Sequence, residues 1–296
     1  MTKKTRFKSL QAYLMLMPGF VLLTIFVVIP IIMAVNRSFF NYNAYSEYQE
    51  FVGFRNYYLV LKDDLFLKSL KNVVIMTLSI TTLVIIISFF MALLIQKIND
   101  RLSSITRTII YIPFLISGLV TSIIFLFITN FGGGLINSIR ISLNKEPIAF
   151  AMQGIWPYLS IIIPTIWVSF GYNTLVFYSG MKNIPKTYYE AAMIDGANGF
   201  QRTWHITIPS LKNYVALLVI GLITSNLQMF EIPFMMTGGG PLDKTLSPVL
   251  YLFNSYRDPN QNTSKTIAGA ILLMIPIILI NLIVFKVVKS EKAVYN

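Results

Sequence analysis

The chain has 296 residues, of which 55% are hydrophobic, 14% aromatic and only 12% charged, with a net charge of +12 and no cysteine. Soluble domains carry about 25% charged residues, so this composition points to lipid as the solvent. The lack of cysteine excludes disulfides, thiolate metal sites and cysteine nucleophiles, and lysines and arginines holding membrane loops account for the positive charge without nucleic acid.

Six segments read as transmembrane helices, at residues 11–35, 71–95, 107–129, 158–181, 213–236 and 266–288. They predict one all-α integral membrane domain over residues 1–296, each span being long enough for a ~30 Å hydrocarbon core. The first has the basic start of a signal peptide (Lys3, Lys4, Arg6, Lys8). Its apolar run is too long, and it lacks a small-x-small cleavage site, so it reads as a retained anchor. After it, "FVGFRNYYLVLKDDLFLKSL" in the 36–70 loop reads as an amphipathic helix at the membrane interface. "NFGGGLINS" and "TGGGPLDKT" read as glycine-rich turns after spans three and five. Neither is followed by Gly-Lys-Ser/Thr, so neither is a phosphate loop. With both ends inside, the inner segments hold 14 lysines and arginines and the outer ones 10. This bias puts the fourth-to-fifth connection in the cytoplasm.

Catalytic and ion-coupling chemistry is sparse. Glu231, at the outer end of span five, is the clearest ionisable side chain in the spans. A secondary transporter needs a carboxylate or ion cage near the midplane, and no such cluster is evident. His205 is the only histidine; a lone imidazole makes no metal site, and no Gly-x-Ser-x-Gly elbow occurs. The sequence therefore reads as a pathway that is not itself an enzyme and binds no metal or cofactor.

The connection 182–212 is more polar than its surroundings. In "IPKTYYEAAMIDGANGFQRTWHITIP", a short helix is expected from Lys186 to Asp195, after Pro185. Ala191 and Ala192 favour that helix and leave a smooth surface. Gly196 breaks or caps it, Asn198-Gly199 signals a turn, a second helical stretch follows from Phe200, and Pro209 introduces the next span. Tyr189, Ala192, Met193 and Ala197 form the apolar side, and Glu190 and Asp195 offer charge to the arginines of a partner.

Two spans carry polar faces. In span four, Thr165, Ser169 and Tyr172 share a face, flanked by Trp167 and Asn173. In span five, Thr224, Gln228 and Glu231 repeat the spacing, with Ser225 and Asn226 alongside. Such faces suit a hydrated path, offering hydroxyls, amides and an aromatic ring to a polar solute. The same pattern also serves interhelical hydrogen bonding.

Glu190, Ala191, Ala192, Gly196, Ile206 and Pro209 match the pattern Glu-Ala-Ala, three residues, Gly, nine residues, Ile-x-Leu-Pro, with Ile208 in place of the usual leucine. This resembles the signature loop of ABC importer permeases. "YLMLMPGFVLLTIFVVIPIIMAVNRSF", "FVGFRNYYLVLKDDLFLKSLKNVV" and "TGGGP" extend the resemblance over nearly the whole chain, to the first-subunit type of the maltose-type, carbohydrate-uptake branch. The resemblance implies a type I importer permease fold and a heterodimeric pair with a second permease. It further implies two ATPase subunits that bind ATP and Mg, and an extracellular sugar-binding protein. In that reading Glu190, Ala191, Ala192, Asp195, Gly196, Ile206 and Pro209 couple the permease to the ATPase. Trp167 and Tyr172 match an aromatic pair that lines the sugar site in that branch, and Asn226 matches an asparagine of the following span. Gln228 and Met229 stand where the branch has asparagines. The candidate solute path is Trp167, Ser169, Tyr172, Asn226 and Gln228. The alternatives left open are the same machine importing glycerol phosphate or a polyol, and an ion-coupled secondary transporter dependent on Glu231.

Overall fold

The computed structural model describes residues 3–42, 49–258 and 261–292, with side chains for 13–42, 49–258 and 261–283. The side chains of Lys3, Lys4, Arg6, Lys8, Lys286, Lys289 and Lys292, which weigh on the inward assignment of both ends, lie outside the described residues. The described residues fall into two compact units, one within 1–63 and 252–274, the other within 64–251 and 275–296.

The first unit opens with α1 (Lys3–Leu23), a π turn (Thr24–Val28) and α2 (Ile29–Ser38). Within the span from Tyr13 to Ser38 only Ser38, at its end, is buried within the chain; its most apolar stretch of 18 residues has none buried. Pro30 explains the π turn. Its missing N–H and its ring both conflict with an α-helical bond to the residue four before it. The wider turn absorbs this, with the Ile29 N–H bonded to Thr24 O. Two short antiparallel strands follow, β1 (Phe40–Tyr42) and β2 (Gln49–Phe51), and then α3 (Arg55–Leu61). Asn56, 1% exposed, ties them together by donating to Ser38 O and Phe40 O, both at 2.8 Å. Ser264 donates to Arg37 O at 2.9 Å, and Lys265 pairs with Asp63 at 2.7 Å. The single amphipathic helix expected here is instead α3, a turn at Lys62–Asp63, and the start of the next helix.

The second unit is a helix bundle. Its long members are α4 (Asp64–Lys97) and α8 (Trp156–Lys182). Met76, Ile80, Val84, Ser88 and Ala92 recur every fourth residue on α4 and are all fully buried, the spacing of a single helix face. They pack with Ile161, Ile162, Phe177 and Met181 of α8 and with Leu218 and Leu222 of α12 (Lys212–Leu227). In lipid such contacts gain little from leaving the solvent, so close packing carries them. Gly171 and Gly180 permit that closeness. An added Cβ at Gly171 would meet the Ile110 carbonyl, and one at Gly180 would meet Leu211 and Tyr214.

Spans three and five are not the straight helices expected. The third is α5 (Asp100–Tyr111), a 3-10 turn (Ile112–Leu115) and α6 (Gly118–Thr129), bent by 99°. Pro113 removes a donor, and Ser117, N-cap of α6, accepts from Val120 N at 3.3 Å. The fifth ends at Leu227 and restarts as α13 (Glu231–Met236). Pro233 stands in the first turn of α13, where a backbone N–H has no intrahelical acceptor, and Ser247 Oγ donates across the break to the Met229 carbonyl at 2.8 Å. Two helices were not foreseen, α7 (Leu135–Ser142) and α14 (Pro248–Arg257), and the chain closes with α15 (Thr263–Lys292). Among the described residues four helices are long and apolar enough to cross a membrane, and two bent pairs bring the number to as many as six.

Candidate functional site

Two places in the second unit carry the residues singled out by the sequence. One is the segment between α8 and α12. It begins with α9 (Lys186–Ile194), which ends in a Schellman motif: Ala197 N bonds Ala192 O at 2.8 Å and Gly196 N bonds Met193 O at 3.1 Å. Gly196 supplies the positive φ, +79°, that this motif requires. α10 (Gly199–Arg202) follows at once through a reciprocal capping box. Gln201 N donates to Asn198 Oδ1 at 2.9 Å, and Asn198 N donates to Gln201 Oε1 at 2.8 Å. A second π turn (Thr203–Thr207) precedes α11 (Ile208–Ser210) and Pro209, at the same offset as the turn before Pro30.

This segment is open on one side. Tyr189 turns inward, its hydroxyl 2.9 Å from Thr207 Oγ1. Glu190, Ala191, Asp195, Gly196 and Pro209 are exposed, while Ala192 and Ile206 are half-buried. Ala192, Asp195, Gly196 and Ile206 line a groove of about 320 Å³ with Ala197, Gln201, Arg202 and His205. His205 Nδ1 lies 3.0 Å from Gln201 O, a contact within its own loop. Met193, placed by its spacing on the apolar side with Tyr189 and Ala192, is exposed, as is Ile194 at 87%. Phe200 and Trp204, stacked with ring centres 6.2 Å apart, are exposed as well. Ile194, Phe200 and Trp204 were missed. Their signal was present, since they are large apolar residues lying off the Tyr189–Ala192 face.

The second place is a cavity of about 380 Å³ where α6, α8 and α12 meet the break before α13. Ser169, Asn226 and Gln228 line it, joined by Thr165, Ser225, Met229 and Glu231 and, unforeseen, by Gly118 and Phe230. Asn226 is 3% exposed, and its Nδ2 has no hydrogen-bond partner among the described residues. Gln228 Nε2 donates back to Thr224 O at 3.2 Å, which leaves its carbonyl oxygen available. Trp167 and Tyr172 are not among the lining residues. Trp167 packs edge-on against Phe125 at 5.7 Å, and Tyr172 stacks on Phe114 at 4.8 Å. The face drawn through Thr224, Gln228 and Glu231 fails because the helix ends between them. Thr224 Oγ1 instead lies 3.3 Å from Asn281 Nδ2. Asn173 serves the helix, donating to Ser169 O at 2.8 Å. Glu231 and Gly118 are in contact: a Cβ at Gly118 would collide with Glu231 Oε2.

Residues 84–291 match the family of binding-protein-dependent transport system inner membrane components. The chain belongs to that family. It is thus a permease, a transport component of the inner membrane rather than a catalytic subunit. The permease is 31% identical to the probable ABC transporter permease protein YurN of Bacillus subtilis, over 94% of this chain and 97% of that one. It is 30% identical to the trehalose/maltose transport system permease protein MalF of Thermococcus litoralis, over 86% and 87% of the two. In fold it resembles a chain of a bacterial ABC transporter that imports the acidic polysaccharide alginate, with a TM-score of 0.78 at 20% identity, covering 96% of this chain and 98% of that one.

Proposed function

We propose that this permease pairs with a second permease to form the transmembrane path of an ABC importer for a sugar or oligosaccharide. The two partner ATPases bind and hydrolyse ATP with Mg, and an external binding protein delivers the solute. The 182–212 segment lies on the cytoplasmic side, and α9 is the helix that the ATPase moves. Closure of the ATPases rocks the two permeases between inward-facing and outward-facing states.

The observation that carries this reading is the cavity at the break of span five. Its lining of hydroxyls, amides and one carboxylate suits a polyhydroxylated solute, and its volume lies at the small end of ligand sites, about 300–1,000 Å³. The trehalose/maltose relative supports a carbohydrate, and the exposed α9 with its Glu-Ala-Ala residues supports an ATPase partner. The glycerol phosphate alternative finds no support in the lining, which contains no lysine or arginine.

The test is purification of the tagged permease from its native membrane in mild detergent, followed by reconstitution. A second permease, an ATPase and a soluble binding protein should accompany it, and the proteoliposomes should accumulate sugar only with ATP and the binding protein. Isolation of the chain alone, with uptake driven by an ion gradient, would reject the proposal.

A further inference from the structure

We infer that Glu231 sorts solutes by charge in this cavity. It accepts hydrogen bonds from the hydroxyls of neutral or amine-bearing sugars and excludes acidic ones. This inference rests on the sugar-importer reading and names its substrate class.

The geometry supplies three independent parts. Glu231 is the only charged side chain lining the cavity, and no cation pairs with it among the described residues. Its carboxylate lies against Gly118, the first residue of the 12-residue helix α6, in space that a methyl group there would fill. A helix start is where a bound anion would otherwise be stabilised, by free N–H groups and the helix dipole. Here the protein's own carboxylate lies beside that helix start, so an acidic solute meets a like charge there. Third, Asn226 brings a buried, unpartnered N–H donor to the same cavity. Buried polar groups are normally satisfied, so this amide is matched to an acceptor that comes with the solute.

A carboxylate and an amide donor facing one cavity are complementary to sugar hydroxyls, which both donate and accept. Bonds from a hydroxyl to a carboxylate are charge-assisted and roughly twice as strong as neutral ones. A uronate, sulfonate or phosphate in the same place cannot donate to Glu231 and adds a like charge. Specificity then comes from the repulsive element as much as from the attractive one.

The test uses the complete complex of both permeases and both ATPases in nanodiscs, without binding protein, so that only the membrane site selects. Binding of a labelled panel is measured: neutral maltotriose, raffinose and trehalose, and acidic trigalacturonate and glucuronate. The native complex should bind at least one neutral sugar about tenfold more tightly than either acidic one. Glu231→Gln should bring that ratio close to one. Gly118→Ala keeps the carboxylate but displaces it, and should lower the ratio in the same direction. That variant carries the test if Glu231→Gln fails to assemble on size-exclusion chromatography. Equal or tighter binding of the acidic sugars by the native complex, or an unchanged ratio in the variants, would overturn the charge filter and leave the sugar-importer reading standing. Failure to bind any carbohydrate, neutral or acidic, would overturn both.

Discussion

At Gly196 the backbone sets the requirement, because φ is +79° and nothing lies within 4 Å of where a Cβ would stand. A β-branched residue held there costs on the order of 1–3 kcal/mol, whereas asparagine tolerates the left-handed region. Gly196→Asn is therefore expected to keep sugar uptake, and Gly196→Val to lose most of it while remaining in the membrane. Uptake and ATPase rates of the two reconstituted variants check this, and equal uptake by both would remove the conformational argument. Asn226 allows a sharper test of role. An unsatisfied buried amide costs roughly 1–3 kcal/mol, so Asn226→Leu should hold or raise the melting temperature in detergent. If the amide serves the solute, the same variant should lose about tenfold in sugar binding. A fall in stability with unchanged binding would make Asn226 a structural residue.

The breaks in the helices depend on prolines whose consequences are local. The break before α13 leaves the Met229 carbonyl outside both helices, and Ser247 donates to it at 2.8 Å. Ser247→Ala should cost about 1–3 kcal/mol in the native background. Thermal unfolding of the variant measures that cost, and an unchanged melting temperature would show that this bond does not hold the break. The same breaks mark what the sequence revealed and what it hid. Asn198-Gly199, read as a turn, form instead the N-cap and first residue of α10, but the short helix before Gly196 was legible, because a glycine cap acts through neighbouring residues. The polar line Thr224, Gln228, Glu231 was not, because helical periodicity assumes an unbroken helix and the break depends on Ser247, distant in sequence. Trp167 and Tyr172 share a span with Ser169, but their rings settle against Phe125 of α6 and Phe114 of the 3-10 turn before it, which spacing alone does not reveal.

Across the whole molecule, exposed apolar side chains need a cover, and the cover differs by place. On the long helices lipid suffices. In the first span, residues 13–38, only Ser38 at its end is buried within the chain, as suits a lipid-facing or subunit-facing helix. α9 has nine residues, about 14 Å of helix, too short to cross a ~30 Å core. Yet it presents Met193 at 51% and Ile194 at 87% exposure beside Glu190 and Asp195. An apolar pair rimmed by carboxylates is the pattern of a protein interface, whose buried core is apolar and whose rim is charged. In the importer reading that interface is a cleft of the ATPase. Ile194→Asp places a charge at its centre without touching the packed face of Tyr189 and Ala192. The variant is expected to retain the second permease on purification and to lose most of the ATPase, with uptake falling in proportion. Quantitative mass spectrometry of the tagged complex reads both partners at once. If the ATPase is retained at the native ratio and uptake is unchanged, α9 is not the contact. If both partners are lost together, Ile194 instead supports the fold of the permease.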